Sequence, residues 1–143
     1  MMVSTRGRYA LRVMIDLAEH RSDGNISMKS VAERQNISLK YLEKILPILV
    51  KEKMIEGVHG KGGGYRLTNE PESYRVGDIL RLTEGDLAPV SCLESRAAPC
   101  PRASRCRTLP MWKEFDKVVN NFFDSYTIAD LMQSSMDGND FVI

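Results

Sequence analysis

Apolar residues recur at three- and four-residue spacing through most of the first 85 positions, and this periodicity predicts helices. In 4–20 (STRGRYALRVMIDLAEH), Ala10, Leu11, Met14, Ile15, Leu17 and Ala18 fall on one face. Arg8, Arg12, Asp16 and Glu19 fall on the other. Asp23-Gly24-Asn25 then supplies a turn. Ser27 is placed to cap a short helix through Gln35, with Val31 and Ala32 facing inward. Asn36-Ile37 interrupts, and Ser38 caps a second helix carrying Leu39, Leu42, Ile45, Leu46 and Leu49 at helical spacing. A short helix, a tight turn and a longer helix make the pattern of a helix-turn-helix. Pro47 removes one backbone hydrogen bond and clashes with the carbonyl of Glu43, so a kink or a weakened second half is expected there.

The period then changes. Short apolar stretches at 55–58 and 65–67 flank HGKGGG, which predicts a hairpin with a glycine-rich tip able to approach another surface closely. A phosphate-cradling nucleotide loop is excluded, because G-x-x-x-x-G-K-[ST] is absent and the glycines lead into a strand. A hairpin directly after a helix-turn-helix is a wing, and the pair is more specific than either half. RVGDILRLTEG (75–85) reads as one more short helix ending near Gly85.

Periodicity disappears from Asp86 to Pro110. This stretch holds four of the six prolines and all three cysteines, Cys92, Cys100 and Cys106, spaced C-x7-C-x5-C. A structureless loop of this length inside a compact domain is uncommon unless it is functional or disordered, and something bound would have to order it. The helical pattern resumes at Met111. Trp112, Phe115, Val119, Phe122 and Tyr126 step by 3, 4, 3 and 4, widened by Met111, Val118 and Phe123. So apolar a helix needs a partner surface, and the seam predicts a homodimer interface. Thr127-x-x-Asp130 resembles a capping box for a last short helix. The expected fold is mostly α with a small β wing. Its parts are a winged helix-turn-helix over 1–85, a cysteine loop over 86–110, a dimerisation region over 111–135 and a tail over 136–143.

With 43% hydrophobic and 27% charged residues, the chain can bury a core. The net charge of +1 hides an asymmetry: 12 Lys/Arg against 7 Asp/Glu in 1–67 (+5), and 8 against 12 in 68–143 (−4). A basic front half points to a polyanion partner. The longest apolar stretch, 45–50, is far too short to span a bilayer, so a cytoplasmic protein without a membrane partner is expected. In that reducing compartment three thiols read as metal ligands or redox groups before disulfides. They can ligate an iron–sulfur cluster, 2Fe–2S or 4Fe–4S, and Arg96, Arg102, Arg105 and Arg107 favour thiolates. The spacing lacks the close cysteine pairs of structural zinc sites. Two histidines and no nucleophile–His–acid spacing argue against an enzyme. A zinc-stabilised interaction module without specific DNA binding is the alternative from another class.

STRGRYAL, ISLKYLEKIL, GVHGKGGGYRL and VGDILRLTEG, in this order, resemble the Rrf-two family of bacterial winged-helix transcription regulators over nearly the whole chain. That family includes iron–sulfur regulators of the IscR, NsrR and RirA kinds and CymR-like regulators of cysteine metabolism. The resemblance implies a homodimeric repressor on palindromic double-stranded DNA, with the long C-terminal helix as dimer element. Ser38, Lys40, Tyr41, Glu43 and Lys44 would enter the major groove, and Glu43 matches the family's base-reading glutamate, suited to accept from cytosine N4. Arg6 and Arg8 are candidate phosphate contacts. His59 stands in the wing where many relatives carry an arginine, with Lys61 as the substitute charge. That departure implies weaker minor-groove discrimination and a mild pH dependence.

The cysteine spacing resembles that of cluster-binding members, which implies an iron–sulfur cofactor held by Cys92, Cys100 and Cys106. The histidine that IscR-like members place three residues after the last cysteine is Leu109 here, and the carboxylate of NsrR-like members near the first helix is Arg8. Glu94, Ser91, a partner-chain group and a small exogenous ligand stay open as the fourth ligand. CymR-like features, among them the STRGRY start and the FVI end, imply an alternative. It is a cluster-free regulator of sulfur metabolism working through thiol chemistry or a protein partner, a cysteine-synthesis enzyme.

Overall fold

A computed structural model describes residues 2–134; the expected tail lies outside them. Three serines open the first three helices. The Oγ atoms of Ser4, Ser27 and Ser38 accept from the backbone N–H groups of Gly7, Ser30 and Tyr41 at 3.2, 3.2 and 3.1 Å. Each satisfies a donor that the helix start leaves free. The helices they open are α1 (Thr5–Glu19), α2 (Met28–Gln35) and α3 (Leu39–Lys51). Asn36, in the left-handed region at φ 53°, ψ 47°, ends α2 and turns the chain into α3. α3 runs through Pro47 to Lys51, and the buried Leu46 and Leu49 on either side anchor its second half.

Strands β1 (Ile55–Val58) and β2 (Gly64–Leu67) pair antiparallel, with Ile55 opposite Leu67 and Val58 opposite Gly64. Ile26 adds a bridge on the other edge of β2, exchanging hydrogen bonds of 2.9 and 2.8 Å with Tyr65. That approach requires Gly64, since a Cβ there would stand 2.5 Å from the Ile26 carbonyl oxygen. Buried Tyr74 ties the base of the wing together from the C-terminal side. Its hydroxyl accepts from the Thr68 and Asn69 N–H groups at 3.1 and 2.9 Å and donates to the Met54 carbonyl at 2.8 Å.

α4 (Val76–Glu84), α5 (Leu109–Asp124) and α6 (Ile128–Ser134) complete the chain. The capping box forms as expected: Thr127 N–H donates to Asp130 at 2.8 Å, and Asp130 N–H to Thr127 Oγ1 at 3.2 Å. α1 is the central element and packs against α2, α4, α6 and β2. Met14, Leu17, Val31, Leu42, Ile45, Leu49, Ile55, Ile79 and Ile128 are almost wholly buried in one core. Ile128 of α6 therefore belongs to the core of the head, although the sequence grouped its helix with the dimerisation region. Among the described residues no helix is long and apolar enough to cross a membrane.

The packing changes three side-chain readings. Asp16, expected on the outer face of α1, is 1% exposed. Leu39, expected in the core, is 43% exposed, because Ile37 and Leu42 fill the inward positions around it. Val119, expected in the dimer seam, is buried in its own chain with Val76, Leu80 and Leu87.

Candidate nucleic-acid interface and cysteine loop

Buried Leu42, Ile45, Leu46 and Leu49 fix the rotation of α3, so Lys40, Glu43, Lys44 and Pro47 point outward. Ser38 is exposed at the cap. Tyr41 differs: it is half-buried and meets Tyr9 of α1 edge-to-face, ring centroids 5.2 Å apart. The Arg12 guanidinium lies 5.1 Å from the centre of the Tyr9 ring. Tyr41 thus carries packing between α1 and the outward helix as well as surface.

Beneath α2 lies a polar network that periodicity alone did not reveal. The carboxylate of Asp16 accepts from Arg34 Nε at 3.0 Å, Arg34 Nη2 at 2.6 Å and Gln35 Nε2 at 2.9 Å. Arg12 reaches the same end of α2, donating to Gln35 Oε1 at 3.2 Å and to the Gln35 carbonyl. A buried carboxylate needs such partners. They clamp α2 to α1 just before the turn into α3. The polar-outside rule placed Asp16 in solvent, and the Arg34-Gln35 pair after it was the signal available.

The hairpin tip, residues 59–63, lies beside this head. His59 and Lys61 are exposed, and Gly63 N–H closes the turn on the Gly60 carbonyl at 2.9 Å. At the start of α1, Arg8 is exposed and its Nη2 donates to Thr5 Oγ1 at 3.1 Å. Arg6 is more tied down, donating at 2.7 Å to the Thr83 carbonyl near the end of α4. Glu84 completes that junction, accepting from the Ser4 N–H and hydroxyl at 3.1 and 2.6 Å. A Cβ at Gly7 would stand 2.4 Å from the Glu84 carboxylate, so a larger residue there would displace that side chain from Ser4.

The cysteine loop leaves α4 at this junction. Asp86 staples its first turn, accepting from the Ser95 and Ala88 N–H groups at 2.7 and 2.6 Å. These bonds, Ser95 first, hold its carboxyl below the usual range. The loop has more local structure than expected, including a 3-10 turn at Ser91–Leu93. All three cysteines are free thiols; Cys92 and Cys100 are exposed and Cys106 partly so. Cys106 Sγ lies 3.5 Å from Thr108 Oγ1. That hydroxyl, then the N–H groups at the head of α5 and Arg102, make this thiol more acidic than ordinary cysteine.

Three free thiols on one segment fit an iron–sulfur cluster in donor chemistry. Among the described residues, no three His, Cys, Asp or Glu side chains converge into a group that could hold a metal ion. The donors are of the right kind, then, but not gathered.

On α5, Val119 and half-buried Phe123 face the head, and Arg81 of α4 binds Asp124 and Asn120, each at 2.9 Å. The opposite face presents Met111 (54% exposed), Phe115 (44%), Val118 (60%) and Phe122 (55%), and Tyr126 (41%) continues it just past the helix end. The exposed stripe therefore keeps Phe115, Phe122 and Tyr126 of the seam together with the widening Met111 and Val118, while Val119 is buried and Trp112 and Phe123 are half-buried.

A helix-turn-helix whose outward helix is flanked by a glycine-tipped hairpin defines a winged-helix DNA-binding protein. The chain belongs to the Rrf2 family, whose model, described as iron-dependent transcriptional regulator, matches residues 3–134. It is 39% identical to protein rrf2 of Nitratidesulfovibrio vulgaris over 135 residues, covering 94% of this chain and 89% of that one. The structure of CymR (YrzC), the global cysteine regulator of B. subtilis, superimposes with a TM-score of 0.77 at 35% identity, covering 94% and 98% of the two chains. T. potens IscR does so with a TM-score of 0.72 at 34% identity, covering 94% and 88%. Such a protein is a transcriptional regulator and not an enzyme.

Proposed function

We propose that the chain is a homodimeric repressor that reads a palindromic duplex with α3 and the wing, under control of its cysteine loop. The observation that carries the reading is the outward face of α3, where Lys40, Glu43 and Lys44 are exposed, together with the exposed His59 and Lys61 at the tip of the hairpin that follows it. Lysines on such a face neutralise phosphates, and Glu43 accepts a hydrogen bond from a cytosine amino group in the major groove. Ser38 and Arg8 serve the backbone; Arg6 can do so with the donors it does not spend on Thr83. The α5 stripe pairs two copies, which sets two recognition helices on the two half-sites.

Cys92, Cys100 and Cys106 would hold an iron–sulfur cluster, supported by the donor set and the family's description as iron-dependent. The bound group would supply oxidant- and iron-sensitive chemistry, and the chain would supply the thiolates and the junction to α1. A second reading is favoured by the acidic Cys106 thiol and the likeness to CymR. In it, cluster-free thiol chemistry or a protein partner sets the response.

Two assays test the proposal. Salt-dependent duplex binding by fluorescence anisotropy, with discrimination lost in Glu43→Ala at one base pair per half-site, supports the reader; salt-insensitive binding contradicts it. Iron and sulfide measured on protein purified without oxygen, and lost in Cys92→Ala, support the cluster. Iron-free protein whose DNA affinity still responds to thiol oxidants supports the second reading.

A further inference from the structure

We infer that Leu39 is a specificity-determining residue that reads a thymine methyl group in the major groove, beside the base pair read by Glu43. The inference rests on α3 being the reading helix. Leu39 is the first residue of α3 and 43% exposed, although the helix buries four other apolar side chains in the core. Its neighbours in sequence, Ile37 and Leu42, are 5% and 0% exposed, so the outward position is set by the helix rotation and not by fraying. Leu39 and Glu43 are four residues apart and share a face, as do Lys40 and Lys44. The first two turns of α3 therefore present one apolar group flanked by a carboxylate and two ammonium groups.

The charge around Leu39 fixes what can cover it. A protein segment docked there would have to desolvate Lys40, Glu43 and Lys44, whereas a duplex pairs the lysines with phosphates and the carboxylate with a base-edge donor. Within the major groove the apolar feature on a base edge is the C5-methyl of thymine. Recognition helices contact bases with their N-terminal residues, where Leu39 stands. The other large apolar stripe, on α5, is a separate surface.

The test uses the duplex that the wild-type dimer selects from a randomised library. Each thymine in one half-site is replaced singly by uracil, which deletes the methyl and nothing else, and Kd is read by anisotropy. Wild type should lose about three- to fivefold at one thymine, the effect of one buried methyl. That penalty should vanish in Leu39→Ala and persist in Glu43→Ala, whose lost discrimination should fall on a different base pair. Leu39→Ala changes an exposed residue, and circular dichroism melts should match wild type. An unchanged uracil penalty in Leu39→Ala, or no sensitive thymine, overturns the inference while Glu43→Ala still loses its base pair. Selection of no consensus, or wild-type discrimination in Glu43→Ala, would instead overturn the reading on which it rests.

Discussion

α3 and α5 are both amphipathic helices, yet the chain treats them differently. α3 buries Leu42, Ile45, Leu46 and Leu49 within its own fold and turns a largely charged face outward. α5 buries Val119 alone in full and turns Met111, Phe115, Val118 and Phe122 outward, with exposed Tyr126 just past its end. The polar side chains divide in the same way. In the head, Asp16 has three guanidinium or amide donors, while in the loop the three thiols stay at least partly exposed. A single chain thus packs its winged-helix head around a closed core, while its back half keeps an exposed apolar stripe and exposed or partly exposed thiols. Under the proposal, their partners are a second copy on the α5 stripe and an inorganic or chemical signal at the cysteines.

The largest expected effect breaks the comparison at α5. Phe115→Glu with Phe122→Glu should yield a folded monomer by sedimentation, and affinity for a palindromic duplex should fall about a hundredfold, as two linked half-sites become independent. A dimer that persists would show that the exposed stripe is not the interface. The next effect sharpens the head. Asp16→Ala leaves Arg34 and Gln35 without their acceptor and should cost about 2–4 kcal/mol in urea unfolding, with Arg34's partial exposure favouring the lower end. A loss within about 0.5 kcal/mol would mean the clamp between α1 and α2 is incidental.

Smaller effects concern the loop. Cys106 should react with iodoacetamide several-fold faster than Cys92 or Cys100 near neutral pH, as read by mass spectrometry of metal-free protein. Thr108→Val should remove most of that advantage, since the hydroxyl is the leading cause of the acidity. Equal rates at all three cysteines would contradict it. The smallest effect is the Asp86 staple. Its folded carboxyl sits below the ordinary value, so its contribution is present above the unfolded pKa of about 3.9. It should be lost as pH falls through the lower folded value. Hydrogen exchange at the Ser95 and Ala88 amides should therefore gain protection as pH rises through that window, an increment absent in Asp86→Ala.

The sequence made the head legible because its signals are local and agree with one another. Ser27 and Ser38 cap where they were placed, Asn36 takes the turn, and Gly60, Gly62, Gly63 and Gly64 lie between the strands and at the start of β2. What stayed hidden depends on tertiary packing. A three-four seam could not tell that Val119 faces Leu80 while Val118 faces outward, because both lie within one wide apolar arc of α5. Asp16 looked like solvent because its partners, Arg34 and Gln35, lie a helix away. Leu39 looked like core because hydrophobicity was read without the rotation that Ile37 and Leu42 impose. At the candidate site, the outward set on α3 was legible, but the tie of Arg6 to α4 was not. The cysteines could be counted from the sequence, though their spacing does not say how the loop arranges them.

The most direct test of the division between a closed head and a back half with exposed thiols is one titration made twice. Protein purified without oxygen is titrated with its selected duplex, before and after chelation of iron, with iron and sulfide measured on each sample. The iron-bearing and iron-free forms should differ in Kd by about tenfold or more, a typical coupling of 1–3 kcal/mol, while circular dichroism reports the same folded head in both. Equal affinities for the two forms, or iron absent from the start, would contradict control of this reader by a cluster in its cysteine loop.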